Sequence, residues 1–306
     1  MKNFDVFVGI DWSGAEKPVY TPTISVAMKE AASEGVKLLS PHNGEKYWSR
    51  QTVGDWIKSI ARGHDKSLAQ KRILIGIDAN FGYAHDILQK QLRGNPSAFD
   101  LWRAVERISA DSPNYYAAAF ARAWPEYFWS TGTKPDGFAM PRRHTEQACG
   151  EAGFGWPESP FKLIGAKQVG KGGLAVMRLA HDMKRFCGDD VCIWPFENDK
   201  ADQAHIVIAE IYPRQFLLRA GHGYKKIQAA QTQEMDRGLA FFGCRLDQGG
   251  KVFSDHDADA VISAAGLSWL FDHGKSKACE RITRNVVDYL NRHKSISEGW
   301  IFGVAP

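Results

Sequence analysis

A chain of 306 residues that is 44% hydrophobic and 24% charged can bury a sizeable core and lacks the bias of fibrous or disordered proteins. A net charge of +4 is too small to define a polyanion-binding protein by charge alone. Five scattered cysteines (Cys149, Cys187, Cys192, Cys244, Cys279) with no Cys-x-x-Cys pair argue against a disulfide framework and a zinc site. The apolar run Val6 to Ile10, bracketed by Asp5 and Asp11, is too short and too acidic for a signal peptide, and no segment has membrane-spanning length. The expectation is a cytoplasmic protein with no membrane partner.

In chain order, the first predicted strand covers Phe4 to Ile10, continuous and apolar as in a strand buried on both faces. An edge pair follows at Thr23 to Met28 and Val36 to Leu39, then a helix from about Thr52 to Arg62 with Val53, Trp56, Ile57 and Ile60 on its apolar face. A second buried strand runs from Ile73 to Ile77. From Gly94 to Lys200 the pattern is irregular, with helices around Ser97 to Ser109, Tyr115 to Ala123 and Leu174 to Phe186 among Gly, Pro and aromatic residues. A strand returns at His205 to Ile211. The last strong element is a helix near Ala258 to Leu270, apolar on nearly all sides and therefore buried. The organisation expected is an α/β core of residues 1–93 and 201–306, with 94–200 as a large, partly helical insertion or lid.

Each of the three buried strands runs directly into an acid: Asp11, Asp78 and Glu210. Ligands bind outside the carboxyl ends of strands in open α/β sheets, so these acids can converge there. A fourth acid, Asp259, lies at the border of the buried helix, where an unpaired carboxylate would be costly. His256 is three residues earlier on the same helical face. Ser254 and Asp257 have capping-box spacing, so capping accounts for Asp255 or Asp257 as well as an auxiliary ligand or proton carrier does. Clustered carboxylates repel one another unless a cation neutralises them, and all-oxygen ligands suit magnesium or manganese. Two such ions can activate a water and stabilise the leaving oxygen of a phosphodiester.

Gly9-Ile10-Asp11, Gly76-Ile77-Asp78, the Glu210-Ile211-Tyr212-Pro213 turn and Asp257-Ala258-Asp259-Ala260 together resemble the motifs of domain-of-unknown-function family 429, predicted nucleases of the ribonuclease-H-like superfamily. The spacing His256-x-x-Asp259 is also similar to the last-helix motif of Holliday-junction resolvases. The resemblance implies a ribonuclease-H-like mixed sheet with flanking helices and a metal-dependent nuclease acting on DNA or RNA. Asp11, Asp78, Glu210 and Asp259 would hold the metal, and Asp257 or His256 would assist.

Between Arg142 and Arg185 there are eight Lys/Arg and four Asp/Glu, interleaved with Phe154, Trp156 and Phe161. This mixture suits a nucleic-acid backbone and its bases, or equally a solvated basic surface over core aromatics. Arg142, Arg143, Lys167 and Lys171 are the candidate phosphate contacts, although a surface ion-paired turn is the more usual explanation for the run Arg142-Arg143-His144-Thr145-Glu146. The stretch Gly165 to Gly172 nearly fits a P-loop, but Gly172 stands where the metal-binding hydroxyl belongs. Asp11-Trp12-Ser13-Gly14 resembles a first phosphate loop of the sugar-kinase and actin-like ATPases, which makes Ser13 a further substrate contact. Against that rival, Asp11 and Asp78 lie too close in sequence to open two separate domains. A non-catalytic nucleic-acid-binding protein of the same fold is the remaining alternative.

Overall fold

The computed structural model describes residues 1, 3–16, 23–130, 132–134, 136–164, 168–223, 232–247, 254–271 and 276–306. β1 (Val6–Asp11) is buried throughout and pairs antiparallel with β2 (Ser25–Glu30), which pairs antiparallel with β3 (Gly35–Leu38). α1 (Arg50–Ala61) follows, started by a reciprocal cap between Ser49 and Thr52 that satisfies backbone donors of the first turn. β4 (Ile73–Ile77) then joins β1 on its other side, parallel to it.

Next come α2 (His85–Leu92), α3 (Ala98–Ser109), α4 (Ala118–Ala123), α5 (His144–Glu151) and α6 (Gly170–Cys187). β5 (Val191–Trp194) and β6 (Ile206–Glu210) are parallel neighbours, with β6 also parallel to β4. α7 (Pro213–Arg219), α8 (Thr232–Phe241), β7 (Arg245–Leu246), α9 (Asp255–Leu270) and α10 (Ser276–Arg292) complete the described elements. The described strands form one mixed sheet in the order β5-β6-β4-β1-β2-β3-β7.

Strand alternation divides the core into two layers. Val6, Val8, Ile10, Ile73, Ile75, Ile77, Ile206 and Ile208 pack with apolar residues of α1, α3 and α6. Phe7, Leu74, Val207 and Ala209 turn to the other face, under α7, α8 and α9. A sheet covered on both faces explains why its parallel strands read as unbroken apolar runs. α9 lies directly on β1: a Cβ at Gly9 would stand 2.3 Å from the Ala260 carbonyl oxygen and 2.7 Å from the Ala264 nitrogen. Only glycine permits that approach.

The segment 94–200 is not an insertion throughout. α3 and α6 cover one face of the sheet, and β5 is hydrogen-bonded along β6. β5 escaped the sequence reading because it is four residues long and ends at Pro195. α6 begins at Gly170 rather than Leu174, since Gly170 donates to the Lys162 carbonyl and the Trp12 indole donates to the Gly172 carbonyl. These tertiary contacts override the poor helix propensity of three glycines. All five cysteines are buried and none is in a disulfide. Among the described residues, no helix is long and apolar enough to cross a membrane.

Candidate functional site

Register brings the strand-end acids to one edge. Ile10 aligns with Ile77, and Ile77 with Glu210, so Asp11, Asp78 and Glu210 end three adjacent parallel strands. The first turn of α9 adds His256 and Asp259. All five side chains, with Ser13, line one cleft of about 390 Å³. The loop after β1 is fixed from below by the buried Arg50, whose Nη1 donates to the carbonyls of Ser13 and Ala15, each at 2.8 Å. Burial lowers the Arg50 pKa to about 10. The guanidinium still ionises at neutral pH and holds the loop through carbonyl oxygens.

Asp11 is 6% exposed and Asp259 is 5% exposed. Asp11 Oδ2 lies 2.5 Å from Nδ1 of His256, so the carboxylate orients the imidazole, whose Nε2 lies 4.0 Å from Asp255 Oδ1. Asp257 does not share this arrangement. Its Oδ1 accepts the Ser25 hydroxyl at 2.6 Å, and its backbone N–H donates to Ser254 Oγ at 3.1 Å. It joins α9 to β2 and lies outside the cleft lining. Asp78 lies near Tyr212, whose phenol is pushed well above its usual pKa by burial first, with the Asp78 charge acting in the same direction.

Glu210 meets a different environment. Both its oxygens are taken by Arg143, at 2.9 Å from Nη1 and 2.5 Å from Nη2. Arg143 also grips Glu146 through Nε and Nη2 and donates to the Glu298 carbonyl. All three charged side chains are almost completely buried. The two carboxylates raise the affinity of the guanidinium for its proton despite burial, while burial raises the pKa of Glu146. Nearby, the Glu298 carboxylate accepts the first N–H of α2 from His85 and of α5 from His144, both at 3.1 Å. One anion thus caps two helix dipoles and fixes the element that carries Arg143.

The expected phosphate contacts do not gather as predicted. Arg143 lines the cleft, but its guanidinium is committed to two glutamates. Arg142 is exposed on a neighbouring depression and donates to the Pro157 carbonyl at 3.2 Å. Lys171 sits in the first turn of α6, its backbone against Gly14, and its side chain is not part of the cleft wall. Lys167 lies outside the described residues. The segment 94–200 does reach over the strand ends: Trp156, Pro157, Glu158, Pro160, Gln168, Val169 and Gly172 form cleft wall. A cation the sequence reading missed, Arg214 in the first turn of α7, stands on the same wall. Only its position just after the Glu210-to-Pro213 turn could have signalled it.

The residue types suit a hard divalent cation, since Asp11, Asp78 and Asp259 all line the cleft. The oxygens are not drawn to a point, however. Among the described residues, no group of three or more His, Cys, Asp or Glu side chains is arranged to hold a metal ion. In comparisons with known proteins, no family model, no curated protein and no solved structure matches this chain. The resemblance to family 429 therefore rests on the motif residues alone.

Proposed function

We propose that the chain is a metal-dependent phosphodiesterase of the ribonuclease-H-like kind acting on nucleic acid, with Asp11, Asp78 and Asp259 as ligands for magnesium or manganese. The observation that carries this reading is that two nearly buried carboxylates, Asp11 and Asp259, share one cleft with Asp78 at the carboxyl edge of adjacent parallel strands. Carboxylates gathered at one strand edge repel one another, and a bound cation would offset that repulsion. The antiparallel meander of β1, β2 and β3, extended beyond β1 by parallel strands, supports the fold assignment. Glu210 leaves the ligand set of the proposal because Arg143 already occupies both its oxygens. A cytoplasmic setting belongs to the same reading, since all five cysteines are thiols rather than disulfides.

When bound, a divalent ion at these acids would polarise the phosphodiester and activate water. His256, oriented by Asp11, would carry a proton at Nε2. Arg214 would face the substrate phosphates, adding positive charge to a cleft that also holds several carboxylates. Backbone rigidity at the site comes from Arg50 beneath Ser13 and from Trp12 anchored on α6.

The test is incubation of purified protein with single-stranded, double-stranded and branched DNA and RNA in magnesium, in manganese and in chelator, with ATP turnover measured alongside. Cleavage that needs the metal is expected. ATP hydrolysis without cleavage would replace the proposal with the kinase-like alternative, and binding without either reaction would favour a non-catalytic nucleic-acid-binding protein.

A further inference from the structure

We propose that Trp156 is a stacking platform for an unpaired base, so that the substrate enters the cleft as a single strand. This rests on the nuclease reading and narrows its substrate class. The chain contains ten tryptophans, most of them buried, whereas Trp156 is 59% exposed and stands at the mouth of the cleft that holds Asp11 and Asp259. A lone exposed apolar residue needs no explanation in general. The setting of this one does.

The indole lies face-on over the backbone of α5. A Cβ at Gly150 would meet three fused-ring atoms, Cδ2, Cε3 and Cε2, at 2.5, 2.5 and 2.6 Å. Near-equal distances to atoms around the ring junction describe a face rather than an edge. Gly150 therefore acts as a seat: with any side chain there, the ring would be lifted away. One face of the indole is covered by the helix, and its exposure belongs to the other.

The approach to the platform is also built. Gly153 and Gly155 have φ of 77° and 84°, a region in which side chains are strained, and they bend the chain after α5 so that Trp156 folds back onto it. The Phe154 N–H closes this bend on the Cys149 carbonyl at 3.0 Å. Arg214 passes beside the same bend, its Cδ and Nε 3.4 Å from where a Gly155 Cβ would stand. An aromatic face and a guanidinium thus lie beside the same bend, in the lining of the cleft that also holds the acids. That combination matches a base and its adjoining phosphate.

Pairing decides the substrate form. Inside a duplex each base has both faces covered by its neighbours, so it offers no face to the indole. An unpaired base does, and stacking tolerates any of the four because all have a π-face. Trp156→Ala removes the platform, while Trp156→Phe keeps a smaller one on the same glycine seat.

Fluorescence anisotropy tests this with a labelled short single strand, its duplex and the same strand carrying abasic residues, in magnesium, all proteins bearing Asp11→Asn to stop turnover. The added Trp156→Ala is expected to weaken single-strand binding on the order of tenfold or more, with Trp156→Phe retaining most of it. The duplex and the abasic strand should bind more weakly than the intact strand and be insensitive to residue 156. Single-strand affinity unchanged by Trp156→Ala, or a duplex bound as tightly as the strand, overturns the platform. If the wild-type protein nevertheless cleaves nucleic acid with metal, the nuclease reading survives that result. If the wild type neither binds nor cleaves any of these substrates, both fall together.

Discussion

Asp11 and Glu210 end strands of the same sheet at the same edge, separated by β4 alone, yet they are held in opposite ways. Glu210 aligns with Ile77 and Ile10, so it turns to the face of those residues, where Arg143 takes both its oxygens. Asp11 is one residue further along and turns to the face of Gly9, under α9, where it meets His256 and shares a cleft with Asp259. Successive side chains alternate between the faces of a strand. A single step of register therefore separates an acid paired with a buried arginine from one paired with a histidine in the cleft.

The ion-pair side of this comparison should be the more sensitive to mutation. Arg143→Met removes the cation shared by Glu146 and Glu210, leaves both carboxylates buried and should cost about 3–5 kcal/mol of stability, measured by urea unfolding. A loss below ~1 kcal/mol would mean that Glu210 is not held this way, and would return it to the set of candidate metal ligands.

Gly9→Ala probes the other side. The added Cβ would strike backbone atoms of α9, which cannot rotate away, so α9 must shift from β1. The expected cost is about 1–3 kcal/mol. Metal-dependent cleavage should fall further than stability explains, because α9 carries His256 and Asp259. Activity preserved per folded molecule would show that the position of α9 is not critical for chemistry.

The smallest effect is a pH slope. Burial raises the pKa of Glu146 in the fold, so the folded protein holds its proton more tightly than the unfolded chain. That contribution is fully present below the unfolded value and is lost as pH rises through the folded one. Wild-type stability should decline with rising pH across this window by on the order of 1 kcal/mol per unit. Glu146→Gln should lack this part of the decline, so its stability should gain on wild type as pH increases. Parallel curves for the two proteins would place Glu146 outside the titration.

The strands β1, β4 and β6 and the helix α9 were legible because continuous apolar runs ending in acids are the direct imprint of a sheet buried on both faces. β5 and β7 were too short to leave that imprint. The convergence of Asp11, Asp78, His256 and Asp259 on one edge followed from their placement after strands or in one helical turn. The fate of Glu210 did not, because it depends on register with Ile77 and on an arginine far away in sequence. In the run Arg142-Arg143-His144-Thr145-Glu146 the charges fitted either a phosphate grip or an ion-paired turn at the surface. The three-residue spacing of Arg143 and Glu146 instead closes an internal pair at the start of α5. Arg214 carried no pattern of its own, and the Gly-rich stretch before Leu174 looked like a turn until Trp12 and Lys162 fixed it as helix.

The most direct test of the contrast is to measure magnesium- or manganese-dependent cleavage by Asp11→Asn and Glu210→Gln side by side, each below its own unfolding temperature. Asp11→Asn should abolish cleavage with the fold intact, since losing a metal that activates water removes several kcal/mol of barrier lowering. Glu210→Gln should lower the melting temperature and still cleave. Loss of cleavage in a folded Glu210→Gln, or cleavage by Asp11→Asn equal to wild type, would contradict the account.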